Sequence, residues 1–283
     1  TIGASPSRNI FLDYLPSTTT YTVTTDSTYY YATRYDGKQI TYNAEPHVVF
    51  NAIIDAMDEY GGKIFVNIAG TLIFSDSINI IDKPVCIEGM GIGSFTAVKQ
   101  PITRFVLADG VEKSLIVAQG HNTPKYASLY LRYIWLSGNK DHPPANTVPL
   151  IFSKDYTRAS IIEECGIEAV HGPPIKTQGT YTMDFWMDKC HIERCSSGVA
   201  IISSEYFVHI TDTYFIDLET SGLTITSAGY GFHIKGCSFV RSTYHGLYVS
   251  DTDGVMVTNC YFSGNSVGTD KLYNDIELTG TVN

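Results

Sequence analysis

The chain of 283 residues lacks any run of about 18 apolar residues, the length that a membrane-spanning helix needs, although 43% of its residues are hydrophobic. Positive charge is also scarce, since 19 Lys and Arg stand against 29 Asp and Glu and give a formal net charge of −10. A general nucleic-acid interface needs clustered Lys and Arg that displace counterions. The sequence therefore excludes a membrane-spanning helix and argues against a general nucleic-acid-binding interface.

Two sequence patterns that would identify a zinc site or a leader are also missing. The six cysteines include no Cys-x-x-Cys pair and no His–Cys spacing typical of zinc. The chain starts at Thr1 without Met and without a charged segment followed by an apolar stretch, the pattern of a secretory signal. We therefore expect no zinc site, and we expect a mature form or an excised fragment.

A small residue recurs about every 24 residues in the C-terminal half of the chain. The five positions, which step by 25, 23, 24 and 23 residues, are Cys165, Cys190, Thr213, Cys237 and Cys260. In phase with them, a glycine followed by a short strand-like segment recurs at Gly198, Gly222 and Gly246. A period of this length is typical of a solenoid. Four cysteines at one position of successive coils predict a stack of buried free thiols, because Cys behaves as a small hydrophobic residue.

Apolar residues alternate with polar ones between these positions, as at Phe185 and Met187 or at Val208 and Ile210. A period of two indicates half-buried strands. Each repeat has room for three short strands but not for a crossover helix, which favours a right-handed parallel β-helix over βαβ units or a propeller. The Leu and Asn ladder of a leucine-rich repeat is absent. The predicted fold is all-β, a single-stranded right-handed parallel β-helix.

The N-terminal third differs in composition from the repeats. Residues 1–34 are rich in Thr, Ser and Tyr and predict an extended segment lying along the solenoid, with a tether from a preceding domain as the alternative. Residues 35–283 are then one β-helix domain. Apolar residues on one helical face, followed by Gly61 and Gly62, predict a helix at about 47–60 that caps the open end of the core.

The segment after this helix resembles a known family. The matching motifs are Phe50-x-Ala52-Ile53, Gly61-Gly62-x-Ile64-x-Val66, Ala69-Gly70-Thr71-Leu72 and Ile87-x-Gly89-x-Gly91. They are similar to the N-terminal signature of the pectate-lyase-like superfamily over about residues 36–91, with Asn67-Ile68 where many relatives carry Val-Pro. The superfamily includes polysaccharide lyases, glycoside hydrolases and viral tailspikes. The resemblance implies a polysaccharide substrate and an extracellular, cell-surface or virion location, and it specifies fold more than chemistry.

Stacking the coils by the cysteine positions assigns outward-facing residues to two columns. The column four residues before each cysteine position contains Ile161, Trp186, His209, His233 and Met256, and the column two residues before it contains Glu163, Asp188, Thr211, Lys235 and Thr258. Adjacent coils lie about 4.8 Å apart. We therefore expect Glu163 to stack on Asp188, and His209 on His233.

These columns contain the residues for two reactions. Two carboxylates held that close raise the pKa of one of them, so Glu163 and Asp188 fit a glycoside hydrolase with Trp186 as a sugar platform. In a lyase, a base removes the proton beside a uronate carboxylate that a cation neutralises. His209 or His233 would be the base, with Lys235 and Arg241 as the cations.

Further candidate substrate contacts lie in and after the turns that follow the columns. They are Arg241, Tyr244, His245 and Tyr248. The loop 137–146 interrupts the repeat and carries Asp141 and His142, which either reach over a groove or simply form a turn.

The alternative for each of these residues is a structural role. Outward polar residues of a β-helix usually form a solvated face, and stacked histidines can be spacers of the sheet. Calcium is the one cofactor considered, but a third Asp at the same position is absent, so no metal site is predicted. The leading interpretation is an enzyme that binds and cleaves a glycan chain as a glycoside hydrolase or polysaccharide lyase. The alternative of another class is a non-catalytic carbohydrate-binding adhesin or virion tail-spike module, which association as a homotrimer would suit. An open groove at Glu163 and Asp188 would favour catalysis, and a covered, hydrogen-bonded pair a structural role.

Overall fold

The computed structural model describes residues 19–91, 103–122, 125–139, 148–202, 204–226, 229–266 and 275–282. Within these ranges the chain forms one helix and 26 strands. From β4 onward the strands visit three sheets in the fixed order A, B, C, and each strand pairs in parallel with the equivalent strand of the next coil. The predicted parallel β-helix is confirmed.

Sheet A contains the longer strands, and the second half of β24 belongs to it. Its members are β1 (Thr20–Thr25), β2 (Tyr30–Arg34), β3 (Gln39–Asn43), β4 (Gly62–Val66), β7 (Pro84–Glu88), β10 (Ser128–Arg132), β13 (Arg158–Glu163), β16 (Thr182–Asp188), β19 (Ser204–Thr211), β22 (Tyr230–Lys235) and β24 (Leu247–Thr258).

Sheets B and C contain short strands. Sheet B consists of β5 (Gly70–Phe74), β8 (Thr103–Leu107), β11 (Trp135–Ser137), β14 (Gly166–Glu168), β17 (His191–Glu193), β20 (Tyr214–Ile216), β23 (Ser238–Val240) and β25 (Tyr261–Ser263). Sheet C consists of β6 (Ile78–Ile81), β9 (Ile116–Gln119), β12 (Ile151–Lys154), β15 (Ile175–Gln178), β18 (Val199–Ile202), β21 (Leu223–Thr226), the first half of β24 and β26 (Ile276–Val282).

The N-terminal segment joins the edge of sheet A. Strands β1, β2 and β3 pair antiparallel with one another, and β1 also pairs in parallel with β4. Tyr21 and Val23 of β1 are buried in the core. The described part of the predicted extended segment therefore adds strands to the first coil, while residues 1–18 lie outside the described residues.

The helix α1 (Pro46–Ala56) begins at a proline, which is compatible with the first turn because no hydrogen bond is lost there. It ends at Ala56, a turn before the predicted end. Phe50 of α1 packs edge-on against Phe74 and Phe105, with ring centroids 5.8 and 5.5 Å apart. The Lys83 ammonium closes the helix end by donating to two carbonyl oxygens of its last turns at 2.9 Å.

The cysteine positions lie at the corner between sheets A and B. Each follows a residue in the left-handed region, namely Glu164, Lys189, Asp212, Gly236 or Asn259. The side chain then donates to the carbonyl oxygen two residues earlier, as from Cys165 to Glu163 at 3.3 Å and from Thr213 to Thr211 at 2.9 Å. All six cysteines are free, and burial raises the pKa of the Cys165 thiol to about 12. The predicted stack of buried free thiols is found at Cys165, Cys190 and Cys237, whereas Cys260 is only partly buried.

Candidate functional site

The register of sheet A confirms both predicted columns. Trp186 lies opposite His209, and His209 opposite His233. Glu163 lies opposite Asp188, and Asp188 opposite Thr211. The preceding coil extends the columns, because Tyr130 pairs with Ile161 and Arg132 with Glu163.

Glu163 is covered by this preceding coil. Its side chain is almost fully buried, with a residue exposure of 4%. The Tyr130 hydroxyl donates to Glu163 Oε2 at 2.6 Å, and Arg132 Nε lies 3.6 Å from the same oxygen. Burial, and next the Glu163 carboxylate, raise the pKa of Tyr130, so the phenol keeps its proton. Glu163 is thus covered and hydrogen-bonded, which favours a structural role for this residue.

Asp188 has donors of its own. The Thr211 hydroxyl donates to Asp188 Oδ1, and Lys189 Nζ lies 3.7 Å from Oδ2. The two stacked carboxylates therefore each accept from a hydroxyl, Glu163 from Tyr130 and Asp188 from Thr211.

The aromatic column is a continuous stack of rings. Trp186 and His209 are stacked with centroids 4.1 Å apart and an interplanar angle of 18°, and His233 follows at 4.9 Å. One face of the indole is therefore occupied by an imidazole. Burial, and next the charge of His233, lower the pKa of His209 to about 4. His209 is therefore neutral at pH 7.

On β22 the two columns present His233 and Lys235, and the columns continue to Met256 and Thr258 on β24. His233 and Lys235 are both exposed and stand two residues apart on the outer face of this strand. Among the described residues Lys235 has no ion-pair partner. An imidazole and an ammonium group thus face solvent on the same side of one strand.

The remaining predicted contacts lie on other faces. Arg241, Tyr244 and His245 follow β23 in the turn from sheet B to sheet C, and Tyr248 lies on sheet C. Arg241 donates twice to Asp217, at 2.5 and 2.8 Å, which lowers the pKa of that carboxyl.

His245 and Tyr248 contact residues of sheet C. His245 is buried and packs on the Tyr248 ring at 5.6 Å, and the Tyr248 hydroxyl lies 3.1 Å from Thr279 Oγ1. The structure therefore does not bring these residues to the sheet A columns, and Arg241 is not available as a second cation beside Lys235.

A second aromatic row on sheet B was not anticipated. Trp135 stacks with His191 at 6.0 Å across the side-chain-free Gly166, and His191 stacks with Tyr214 at 6.2 Å. Beside this row, Glu168 accepts from both Arg104 and Arg194. The sequence contains a signal for this row, because Gly166, His191 and Tyr214 each directly follow a cysteine position.

Among the residues that the structure describes, no three His, Cys, Asp or Glu side chains gather in a way that could hold a metal ion. No helix in the same ranges has the length and apolar character needed to cross a membrane. Asp141 and His142 lie outside the described residues.

Comparison with known proteins agrees with the strand pairing. Residues 151–279 match the family model described as "Right handed beta helix region". No curated protein matches the sequence.

Solved structures with a similar chain fold include two modules of Azotobacter vinelandii mannuronan C-5 epimerases. The A-module of AlgE4 is 16% identical with a TM-score of 0.46, covering 83% of this chain and 73% of the module. The A-module of AlgE6 is 14% identical with a TM-score of 0.44, covering 84% and 83%.

Geobacillus virus E2 ORF18 is 12% identical with a TM-score of 0.42, and 85% of this chain is covered. The chain spans 58% of the length of that virus protein. We draw no activity from these likenesses. The strand pairing and the family match show that the chain is a right-handed parallel β-helix.

Proposed function

We propose that the protein binds a polysaccharide along the outer face of sheet A and cleaves it by β-elimination at a uronic acid residue. The observation that carries this proposal is the exposed pair of His233 and Lys235 on β22, where Lys235 has no ion-pair partner among the described residues. Elimination needs both a base and a cation, because the proton leaves a carbon whose acidity depends on neutralising the adjacent carboxylate.

The roles follow from position. Lys235 pairs with the uronate carboxylate, and His233 takes the proton from C5 of the sugar. The electrons form the C4–C5 double bond and expel the glycosidic oxygen, which takes a proton from solvent. His209 packs behind His233 at 4.9 Å and stays neutral, so it orients the base without adding a competing charge.

Hydrolysis is less well supported by the same surface. A glycoside hydrolase needs an acid and a second carboxylate that both reach the glycosidic bond. Glu163 is covered by Tyr130 and Arg132, and Asp188 accepts from Thr211. The lyase set is the one whose groups face solvent.

Product analysis tests the proposal. The protein is incubated with neutral and uronic acid polysaccharides while ultraviolet absorbance of unsaturated ends and reducing sugar are followed in parallel. Absorbance that is lost in a His233→Gln/Lys235→Gln variant and kept in Lys38→Gln, an exposed lysine elsewhere, supports it. Reducing ends without absorbance would instead establish a hydrolase.

A second candidate is a non-catalytic carbohydrate-binding module of a cell surface or virion. It is favoured by the last described coil, where Met256 and Leu278 are 54% and 57% exposed. Association of sister chains, such as a homotrimer, would cover such surface. Glycan binding without any product, together with a trimeric mass by light scattering, would favour this candidate. Either function places the protein outside the cell or on a virion.

A further inference from the structure

A cluster of aromatic and cationic side chains lies away from the sheet A columns, on sheet C and at its corner with sheet A. Phe152 of β12 lies beside Lys176 of β15 in the register of sheet C. The ammonium groups of Lys154 and Lys176 lie 5.8 and 5.9 Å from the centroid of the Phe152 ring. Two cations thus share one aromatic ring.

In the register of sheet C, the described neighbours of these two lysines carry no charge. The outward residues on the flanking strands are neutral, namely Val117 and Gln119 of β9, Gln178 of β15 and Ala200 of β18. Neither lysine has an ion-pair partner among the described residues. In a chain of net charge −10, this is a local concentration of uncompensated positive charge.

A row of tyrosines continues from the cluster around the corner into sheet A. Tyr126, Tyr156 and Tyr181 occupy successive coils, just before the sheet A strands β10, β13 and β16. Their rings are 6.4 and 5.3 Å apart. Tyr181 is 39% exposed. Two carboxylates of this corner have partners, since Asp155 accepts from the Thr180 amide at 3.2 Å and Asp82 accepts from the His121 amide at 2.8 Å.

We propose that this surface, called the corner face and made of Phe152, Lys154, Lys176, Tyr126, Tyr156 and Tyr181, binds an acidic glycan. A uronate carboxylate bridges Lys154 and Lys176 over Phe152, and neighbouring sugar rings lie along the tyrosines, whose flat amphipathic rings suit sugars. The glycan runs parallel to the solenoid axis. This site is separate from His233 and Lys235 and does not require that the protein cleaves its ligand.

Charge density favours an acidic glycan over nucleic acid. Double-stranded DNA carries one charge per about 1.7 Å, and its binding relies on many phosphate contacts. A strongly acidic protein with two cations on this face repels such a polymer more than it attracts it. A glycan with at most one carboxylate per sugar matches the two lysines.

Calorimetric titration of the full chain with size-defined oligogalacturonate and oligomannuronate tests the site. We expect binding of one of these probes that weakens with salt. In Lys154→Gln/Lys176→Gln the affinity falls about tenfold or more, as for loss of charge-assisted hydrogen bonds. Tyr181→Ala, at an exposed position, weakens binding by a smaller factor. Lys38→Gln with a second exposed change, Lys113→Gln in the turn between β8 and β9, controls for net charge and leaves affinity within about twofold.

Cleavage and corner binding are separated by one more variant. Lys235→Gln is expected to lose unsaturated product, while the oligouronate binding that depends on Lys154 and Lys176 persists. Three results would overturn the proposal: no oligouronate binds, the Lys154→Gln/Lys176→Gln variant binds as the wild type does while its melting temperature is unchanged, or single-stranded DNA binds more tightly than the oligouronates through the same lysines.

Discussion

The hydroxyl of Tyr130 donates a hydrogen bond of 2.6 Å to the carboxylate of Glu163, one coil further along the solenoid. Both residues are buried. The contact links two successive coils through a neutral donor and a charged acceptor, an arrangement stronger than a bond between two neutral groups. Glu163, which the sequence marks as a candidate catalytic acid, therefore lies buried between two coils of sheet A.

Removing this donor should destabilise the fold without affecting cleavage. Tyr130→Phe leaves the buried Glu163 carboxylate without its closest donor, which we expect to lower the free energy of unfolding by about 1–3 kcal/mol. Urea unfolding measures the change, with the exposed Tyr214→Phe as control. A loss of unsaturated product at temperatures where Tyr130→Phe is folded would contradict the structural role of Glu163.

The hydrogen bonds of Thr213, the one threonine among the five cysteine positions, predict which substitutions are tolerated there. Thr213 donates to Thr211 O at 2.9 Å and accepts from the Cys190 amide at 3.3 Å. Thr213→Cys restores the residue of the other coils, and we expect a change in unfolding free energy below about 1 kcal/mol. Thr213→Val keeps the shape but removes both hydrogen bonds, at an expected cost of about 1–3 kcal/mol. Equal melting temperatures for the two variants would show that the hydrogen bonds contribute nothing.

His209 should make stability depend on pH. The folded protein binds a proton at His209 only below a pH of about 4, whereas the unfolded chain binds it below 6.5. Between these values the unfolded state holds more protons, so stability falls as the pH falls from 6.5 towards 4. Because the ring is partly solvated, we expect a loss of about 1–2 kcal/mol.

The control for this pH effect is His209→Phe, which keeps a ring against Trp186 and cannot titrate. Thermal unfolding measured between pH 7 and pH 4 should give a flatter profile for this variant than for the wild type. Parallel profiles would place the pH dependence in other groups.

The repeat in the sequence was sufficient to predict the architecture and the register of sheet A. The spacing of the cysteine positions fixes which residues are adjacent in successive coils, and so His209 was correctly placed beside His233. The partners of Glu163 were not predictable in this way, because Tyr130 and Arg132 precede the first cysteine position and the loop 137–146 interrupts the spacing before it.

The candidate site was only partly predictable for a related reason. Arg241 is six residues from Lys235 in the sequence, yet the chain turns a corner at Gly236 and forms β23 of sheet B between them. Arg241 itself begins the next turn. The period of the repeat predicts which residues of successive coils are neighbours along the solenoid axis. It does not predict which residues of one coil face the same side. The corner face was missed because Tyr126, Tyr156 and Tyr181 lie in turns, where the spacing varies from coil to coil.

The role of Lys235 is best tested by comparing two substitutions. Lys235→Arg keeps the charge at the carboxylate and should retain part of the activity, whereas Lys235→Gln removes the charge that stabilises the developing carbanion. We expect kcat/KM for unsaturated product to fall about 10²–10³-fold in Lys235→Gln, as for loss of one electrostatic contact in a transition state. Because the side chain is exposed on β22, neither change should alter the melting temperature by more than a degree or two, about the effect of a surface substitution. If Lys235→Gln changes KM alone, Lys235 only binds the substrate, and the base must act without a cation at this position.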